Sequence, residues 1–493
     1  MSNTKIIENK ILIWYNPKLY MENNQIKKND ELEVKIERLG SNGEGVATVG
    51  GKIVFVPFAL PDEKVLIKII NDKNSFLIGK LIDVKTSSKF RCEAKCPNFS
   101  KCGGCDIQHL IYDEQINFKT ELVQNTLKKY AKMNINPEKT EKSDKIWRYR
   151  NKFAFPVANQ NGKICIGMYR KNSHQIIEVE DCLLQSELAL KIVKLFKEYM
   201  LENNISAYDE ETKTGMVKHI VCRENDGKFI LTVVVTDEKF NNFEPLIHKL
   251  KTQLQEFGLY KNVNKLKNNV IFGNLDIHIY GLKELEVEEF GIRYFVNNRS
   301  FLQVNNDIKS KIYNKILEFV KDEKTVIDAY SGAGLLSSII AKHAENVYGV
   351  EIVKEATENA EKLIKINNLH NLTNINGDCA EILPELAKKL KDFAIVIDPP
   401  RKGVDKRVCE AFLNAEPKKI VYLSCDPATL SRDLLLLSEK YKVVYLKPWD
   451  MFPQTANVET LVCLEKKKWK KKINKKRKKQ KIISKKQRKM QKN

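Results

Sequence analysis

Apolar positions in the first part of the chain fall in short β-rich runs. LEVKIERL, GVATVGGKIVFV, KVLIKII and FLIGKLIDV, between Glu31 and Lys85, are separated by the turn signals SNGEG, GG, PDE and NDKN. Several short strands at this spacing predict a small β-barrel. YDEQINFKTELVQNTLKKYAK, residues 112–132, carries a helical pattern, and region 145–290 is mixed, with β-like runs such as KFAFPVA and FILTVVVT. From about residue 325 the pattern alternates steadily: TVIDA, NVYGV, TNIN, FAIVID, KIVYLS and KVVYL are separated by helical segments. That alternation predicts an open, doubly wound α/β sheet. Residues 1–30 hold no sustained period and read as a loose leader, in which Met21 is a second candidate start.

The expected organisation is multidomain α/β: a leader over 1–30, a barrel over 31–88, a mixed α+β domain over 89–295, a Rossmann-like domain over 296–465 and a tail over 466–493. A chain of 493 residues fits this count, since domains typically hold about 100 to 200 residues. No apolar run approaches the ~18 residues of a membrane span, so the expectation is a cytoplasmic protein with no membrane partner, read as a monomer. Residues 466–493 carry 17 Lys or Arg and no acid, so most of the formal charge of +22 sits there. Such a block cannot pack on itself and predicts a disordered basic tail drawn to phosphate, which favours nucleic acid as partner.

Candidate chemistry gathers at the predicted strand ends. In open α/β sheets, ligands bind outside the carboxyl ends of the strands. VIDAYSGAGLL places Asp328, Gly332 and Gly334 at the first strand-to-helix turn, and Glu351 ends the next strand, where a carboxylate can take both hydroxyls of a ribose. The pattern lacks G-x-G-x-x-G, so a dinucleotide is not well served. Asp398, in VIDPPRKG, ends the fourth strand, and Cys425, in YLSCDP, ends the fifth. A thiol at a helix start is expected to have a lowered pKa and a reactive role, against the alternative of a buried structural cysteine. Carbon 5 of a pyrimidine becomes nucleophilic only after a thiolate adds at carbon 6, and the methylated adduct must then lose its carbon-5 proton. That chemistry needs a nucleophile and a general base. Glu459, opening a last apolar strand after the loop WDMFPQTANV, is the candidate base.

Eleven cysteines at uneven spacing point to metal ligation or catalysis rather than a disulfide framework. Cys96, Cys102 and Cys105 form C-x5-C-x2-C, with Cys182 downstream, and the spacing suits either a 4Fe-4S cluster or zinc. Cys92 is a rival ligand; Cys165, Cys222, Cys379, Cys409 and Cys463 have no partner spacing and read as structural. Arg148, Arg150, Arg170 and Lys171 lie among aromatics and are candidates for phosphate contacts and stacking.

DAYSGAG resembles the first motif of class I S-adenosylmethionine-dependent methyltransferases. The ordered set FLQVNN, DAYSGAG, IDPPRKG, LSCDPATLSRDL and FPQTANVET resembles the RNA uracil-5-methyltransferase family, over roughly the last 170 residues. The knot CEAKCPNFSKCGGCDIQH is similar to that of its iron-sulfur members, and the OB-like N-terminal barrel to their TRAM domain. This resemblance implies transfer of a methyl group from S-adenosyl-L-methionine to carbon 5 of a uridine, in 23S ribosomal RNA. It implies Cys425 as nucleophile and Glu459 as proton acceptor. Cofactor contacts fall on Gln303, Tyr330, Glu351, Asp378 and Asp398, and the ligands of a 4Fe-4S cluster on Cys96, Cys102, Cys105 and Cys182. Two positions depart from the family pattern: Leu335 stands where an amide is common, and Asn457 where many members carry His. A tRNA-directed enzyme and a non-catalytic RNA-binding assembly factor are the alternatives.

Overall fold

The computed structural model describes residues 26–254 and 256–467. The basic tail from residue 468 and the leader up to residue 25 lie outside the described residues. Six strands between Glu31 and Thr86 form one curled sheet, in the order first, fifth, sixth, fourth, third, second. Its alternating inward positions, among them Val34, Val54, Val56, Val65, Ile67 and Leu77, are buried in a core of their own. That alternation is what lets a small sheet enclose a core while keeping a polar outer face.

A seven-stranded central sheet runs in spatial order Leu275–Gly281, Phe257–Val263, Lys228–Val235, Val217–Asn225, Lys152–Gln160, Lys163–Tyr169 and Ile176–Glu178. Its helices Glu187–Glu202 and Glu244–Gln253 cover it with Ile192, Phe196, Tyr199, Leu246 and Leu250, all buried. A hairpin, Leu285–Glu289 with Ile292–Val296, packs its apolar face into the core of the C-terminal unit, together with Ile230 and Tyr260 of the central sheet. Helix Tyr112–Thr126, whose last turn widens over Leu127–Ala131, packs Val123 and Leu127 into the other face of the C-terminal sheet.

The C-terminal sheet has seven strands: β1 (Thr325–Ala329), β2 (Asn346–Glu351), β3 (Leu372–Asn376), β4 (Ala394–Ile397), β5 (Lys419–Ser424), β6 (Tyr441–Trp449) and β7 (Glu459–Lys466). Their order is β3-β2-β1-β4-β5-β7-β6, parallel through β5, with β7 antiparallel to both neighbours. The near-continuous apolar strands β1 and β4 are wholly buried, as helices on both faces require. Order reverses between β1 and β4, so the crevice lies at the carboxyl ends of β1, β2, β4 and β5. Each of the six runs read from the sequence overlaps one of strands β1 to β6. Strand β7 reaches Lys466, one residue into the segment assigned to the tail. Among the described residues, no helix is long and apolar enough to cross a membrane.

Candidate active site

The first crevice wall is a tight turn after β1. Tyr330 holds a left-handed φ of 67°, and the amides of Tyr330 and Ser331 donate to Val350 O at 3.0 and 3.1 Å. Gly332 follows at φ +54° with open space around the position of a Cβ, so a ligand can approach the backbone there. Glu351 accepts Gly332 N at 2.9 Å through one oxygen and Val353 N at 2.8 Å through the other. Each oxygen retains a further lone pair, so the carboxylate is fixed yet still able to accept two hydroxyls. Ser331 Oγ is buried beside it without a hydrogen-bond partner. A fixed acceptor, an unpaired hydroxyl and an open glycine backbone together suit the polar ribose end of S-adenosylmethionine.

The other expected cofactor residues are placed differently. Asp378 caps the next helix through Ala380 N at 2.9 Å and pairs with Arg407 at 3.1 Å, which fixes its carboxylate. Gln303 lies between the hairpin and helix Asn306–Val320, its carbonyl accepting Asn151 Nδ2 at 2.9 Å. Leu335 opens the helix after the glycine turn, and Leu336, next to it, is buried.

Cys425 follows β5 directly and Glu459 is the first residue of β7. Ser424 pairs with Thr460 across these antiparallel strands, so the next step of the same register sets Cys425 opposite Glu459. Asp398 follows β4, one strand away. The loop after Asp398 is tied to the helix after Cys425. Arg432 donates to Lys402 O at 3.1 Å and to Val404 O at 3.0 Å, while buried Asp433 accepts Val404 N at 2.9 Å and Tyr422 OH at 2.7 Å. Three acidic groups thereby share one crevice. Burial pushes Glu459 up to about 8, aided by the negative charge of Asp398 and opposed by Arg401. Burial alone pushes Asp398 up to about 7.

The expected lowering of the Cys425 pKa does not occur. Burial, then Glu459 and Asp398, push the thiol up to about 11. The helix end cannot offset this, because Asp426 caps it, accepting Ala428 N and Thr429 N at 2.8 Å each. That places a carboxylate, not a free amide dipole, beside the thiol. Asn457 is exposed and donates to Thr455 Oγ1 at 3.4 Å.

The cysteine knot lies against the central domain. Cys105 is pushed up to about 12, by burial first and then by Cys182, Cys102 and Cys96, so the four thiols lie within one another's field. Gly103 N donates to Tyr169 O at 3.0 Å, a close approach that a Cβ would obstruct at 2.9 Å. Arg148 is turned inward rather than toward phosphate: it donates to Cys182 O at 2.7 Å and Gln185 O at 3.1 Å and pairs with Asp181 at 2.6 Å. Among the described residues, no group of three or more His, Cys, Asp or Glu side chains is arranged to hold a metal ion.

Two features escaped the sequence reading. Arg401, within the quoted IDPPRKG motif, is the cation whose field reaches both Cys425 and Glu459. Phe301, beside Gln303, leaves 79% of its surface exposed, which apolar patterning alone does not flag.

The tRNA (uracil-5-)-methyltransferase family model matches residues 111–467, and the TRAM domain model matches 25–82. This chain belongs to the tRNA (uracil-5-)-methyltransferase family. Membership makes it an S-adenosylmethionine-dependent RNA (uracil-5-)-methyltransferase with an N-terminal TRAM domain and a class I methyltransferase fold. The family chain is similar to RNA methyltransferases named as uncharacterized in Clostridium acetobutylicum and Clostridium tetani. It is 39% identical to the first over 451 residues, covering 90% of this chain and 98% of that protein. It is 38% identical to the second over 447 residues, covering 89% and 97%. The crystal structure of Pyrococcus abyssi tRNA (uracil-54, C5)-methyltransferase with S-adenosyl-L-homocysteine matches with a TM-score of 0.74 at 26% identity, covering 88% of this chain and 99% of that one.

Proposed function

We propose that this methyltransferase modifies carbon 5 of a uridine through a covalent adduct at Cys425, and that its target is 23S ribosomal RNA. The observation that carries the mechanism is the placement of Cys425 opposite Glu459 at the mouth of a methyltransferase crevice, with Asp398 one strand away. The target base is unstacked to bring its ring face to the thiol. Cys425 Sγ forms a bond to carbon 6 while its proton passes to the Asp398 carboxylate, whose raised pKa makes it a better acceptor than an ordinary one. The carbon 5–carbon 6 π pair becomes the nucleophilic pair at carbon 5. S-Adenosylmethionine, when bound, supplies the methyl group as an electrophile. Glu459, ionised, then takes the carbon-5 proton; the C–H pair re-forms the double bond and the sulfur leaves with the C–S pair. Glu351, Tyr330, Gln303, Asp378 and Asp398 would hold the cofactor, with Glu351 on the ribose.

RNA as substrate is supported by the TRAM domain and by the exposed Phe301 ring, a platform on which a base can stack. The reading of a 4Fe-4S cluster on Cys96, Cys102, Cys105 and Cys182 is supported by their mutual field. The proposed cluster has a structural role, because methyl transfer needs no electron.

A second reading, transfer RNA as target, is favoured by one observation. The archaeal tRNA enzyme matches across 88% of this chain, so possession of the N-terminal additions does not by itself separate ribosomal from transfer RNA. Mass mapping of 5-methyluridine in ribosomal and transfer RNA, with and without the gene, tests the choice. Loss from large-subunit RNA is expected; loss confined to tRNA would establish the second reading instead.

A further inference from the structure

The loop between β6 and β7, which delivers Glu459, is held by the segment that leaves the cysteine knot. Gln454 sits at its centre, 1% exposed and with a left-handed φ of 72° that a non-glycine residue adopts only when its surroundings enforce it. Its carbonyl accepts Asp106 N at 3.1 Å and Ile107 N at 3.2 Å. Its side-chain oxygen accepts Gln115 Nε2 at 3.0 Å, and its own amide N–H donates to Gln115 Oε1 at 3.1 Å. Asp106 Oδ2 accepts Ala456 N at 3.2 Å, while Oδ1 pairs with Lys171 at 2.9 Å. Below these bonds Leu60, Ile107, Leu110, Phe118 and Ala456 form a small buried cluster joining barrel, knot, helix and loop. Cys105 directly precedes Asp106 in the chain, so the clasp hangs on the knot.

We propose that Asp106 and Gln115 are positioning residues for the general base: by clamping Gln454 and Ala456 they fix where β7 begins and therefore where Glu459 meets the carbon-5 proton. This rests on the reading of Glu459 as proton acceptor. The clasp touches the base loop and not the glycine turn after β1, so loosening it slows proton removal and leaves cofactor binding unchanged. The methylated adduct, whose C–S bond breaks only as the carbon-5 proton leaves, then accumulates.

The test uses the full-length protein with substrate RNA and S-adenosylmethionine, scored on denaturing gels for RNA covalently held during turnover. Asp106→Ala removes the acceptor for Ala456 N, and Gln115→Glu keeps the side-chain shape but sets an oxygen against Gln454 Oε1. Each is expected to lower kcat about tenfold, the effect of one misplaced buried hydrogen bond. The KM for S-adenosylmethionine should stay unchanged and the adduct band should rise. Asp106→Asn, which retains an acceptor oxygen, is expected to restore turnover. Glu459→Gln runs alongside. If Glu459→Gln traps RNA but a folded Gln115→Glu enzyme loses rate without adduct, the clasp is only structural and the proposal is overturned. If Glu459→Gln itself traps nothing, it is the reading of Glu459 that fails.

Discussion

Cys425 follows β5 and Glu459 opens β7, one register step beyond the Ser424–Thr460 pair, and the Glu459 charge reaches the thiol. That charge is one of the groups that push the Cys425 thiol up. Burial pushes Glu459 up to about 8 against an ordinary value of 4.5, so the folded protein keeps this proton where the unfolded chain has lost it. Stability from this group is therefore present below about pH 4.5 and lost as pH rises toward 8. Glu459→Gln does not titrate. Its melting temperature relative to the wild type should climb between pH 4.5 and 8 and level off above, by calorimetry without ligands; a difference independent of pH would contradict the raised value.

Much of this arrangement was legible in the chain. Strands β1, β4 and β5 stand out because buried parallel strands are nearly continuous apolar runs, and Cys425, Asp398 and Glu351 are visible as polar residues at strand ends. The Cys425 pKa was not legible, because its direction depends on carboxylates brought near from other strands. Nor was the clasp: Gln115 and Lys119 look like surface residues of a polar helix, and only the fold shows them buried against a loop more than 300 residues away.

Lys119 and Asp450 form an ion pair with both side chains fully buried, and Asp450 also accepts Tyr112 OH at 2.8 Å. Burial pulls the Lys119 pKa down while Asp450 holds it up. Removing one partner strands a buried charge, so Lys119→Met should cost about 3–5 kcal/mol in denaturant unfolding. Lys119→Met combined with Asp450→Leu should recover much of that. A single variant as stable as wild type would show that the pair is not sealed from water.

Protein purified without oxygen should be brown and carry about four irons per chain. Cys105→Ser should lose both colour and iron. Colourless protein carrying zinc would overturn the cluster assignment and leave the methyl-transfer chemistry untouched.

The central claim is that Cys425 bonds to the uridine and Glu459 releases it. Glu459→Gln incubated with S-adenosylmethionine and substrate RNA should yield a band of protein covalently joined to RNA on a denaturing gel, resistant to heat and detergent, and Cys425→Ala introduced into the same variant should abolish it. No adduct from folded, cofactor-binding Glu459→Gln, or an adduct that survives Cys425→Ala, would contradict the account.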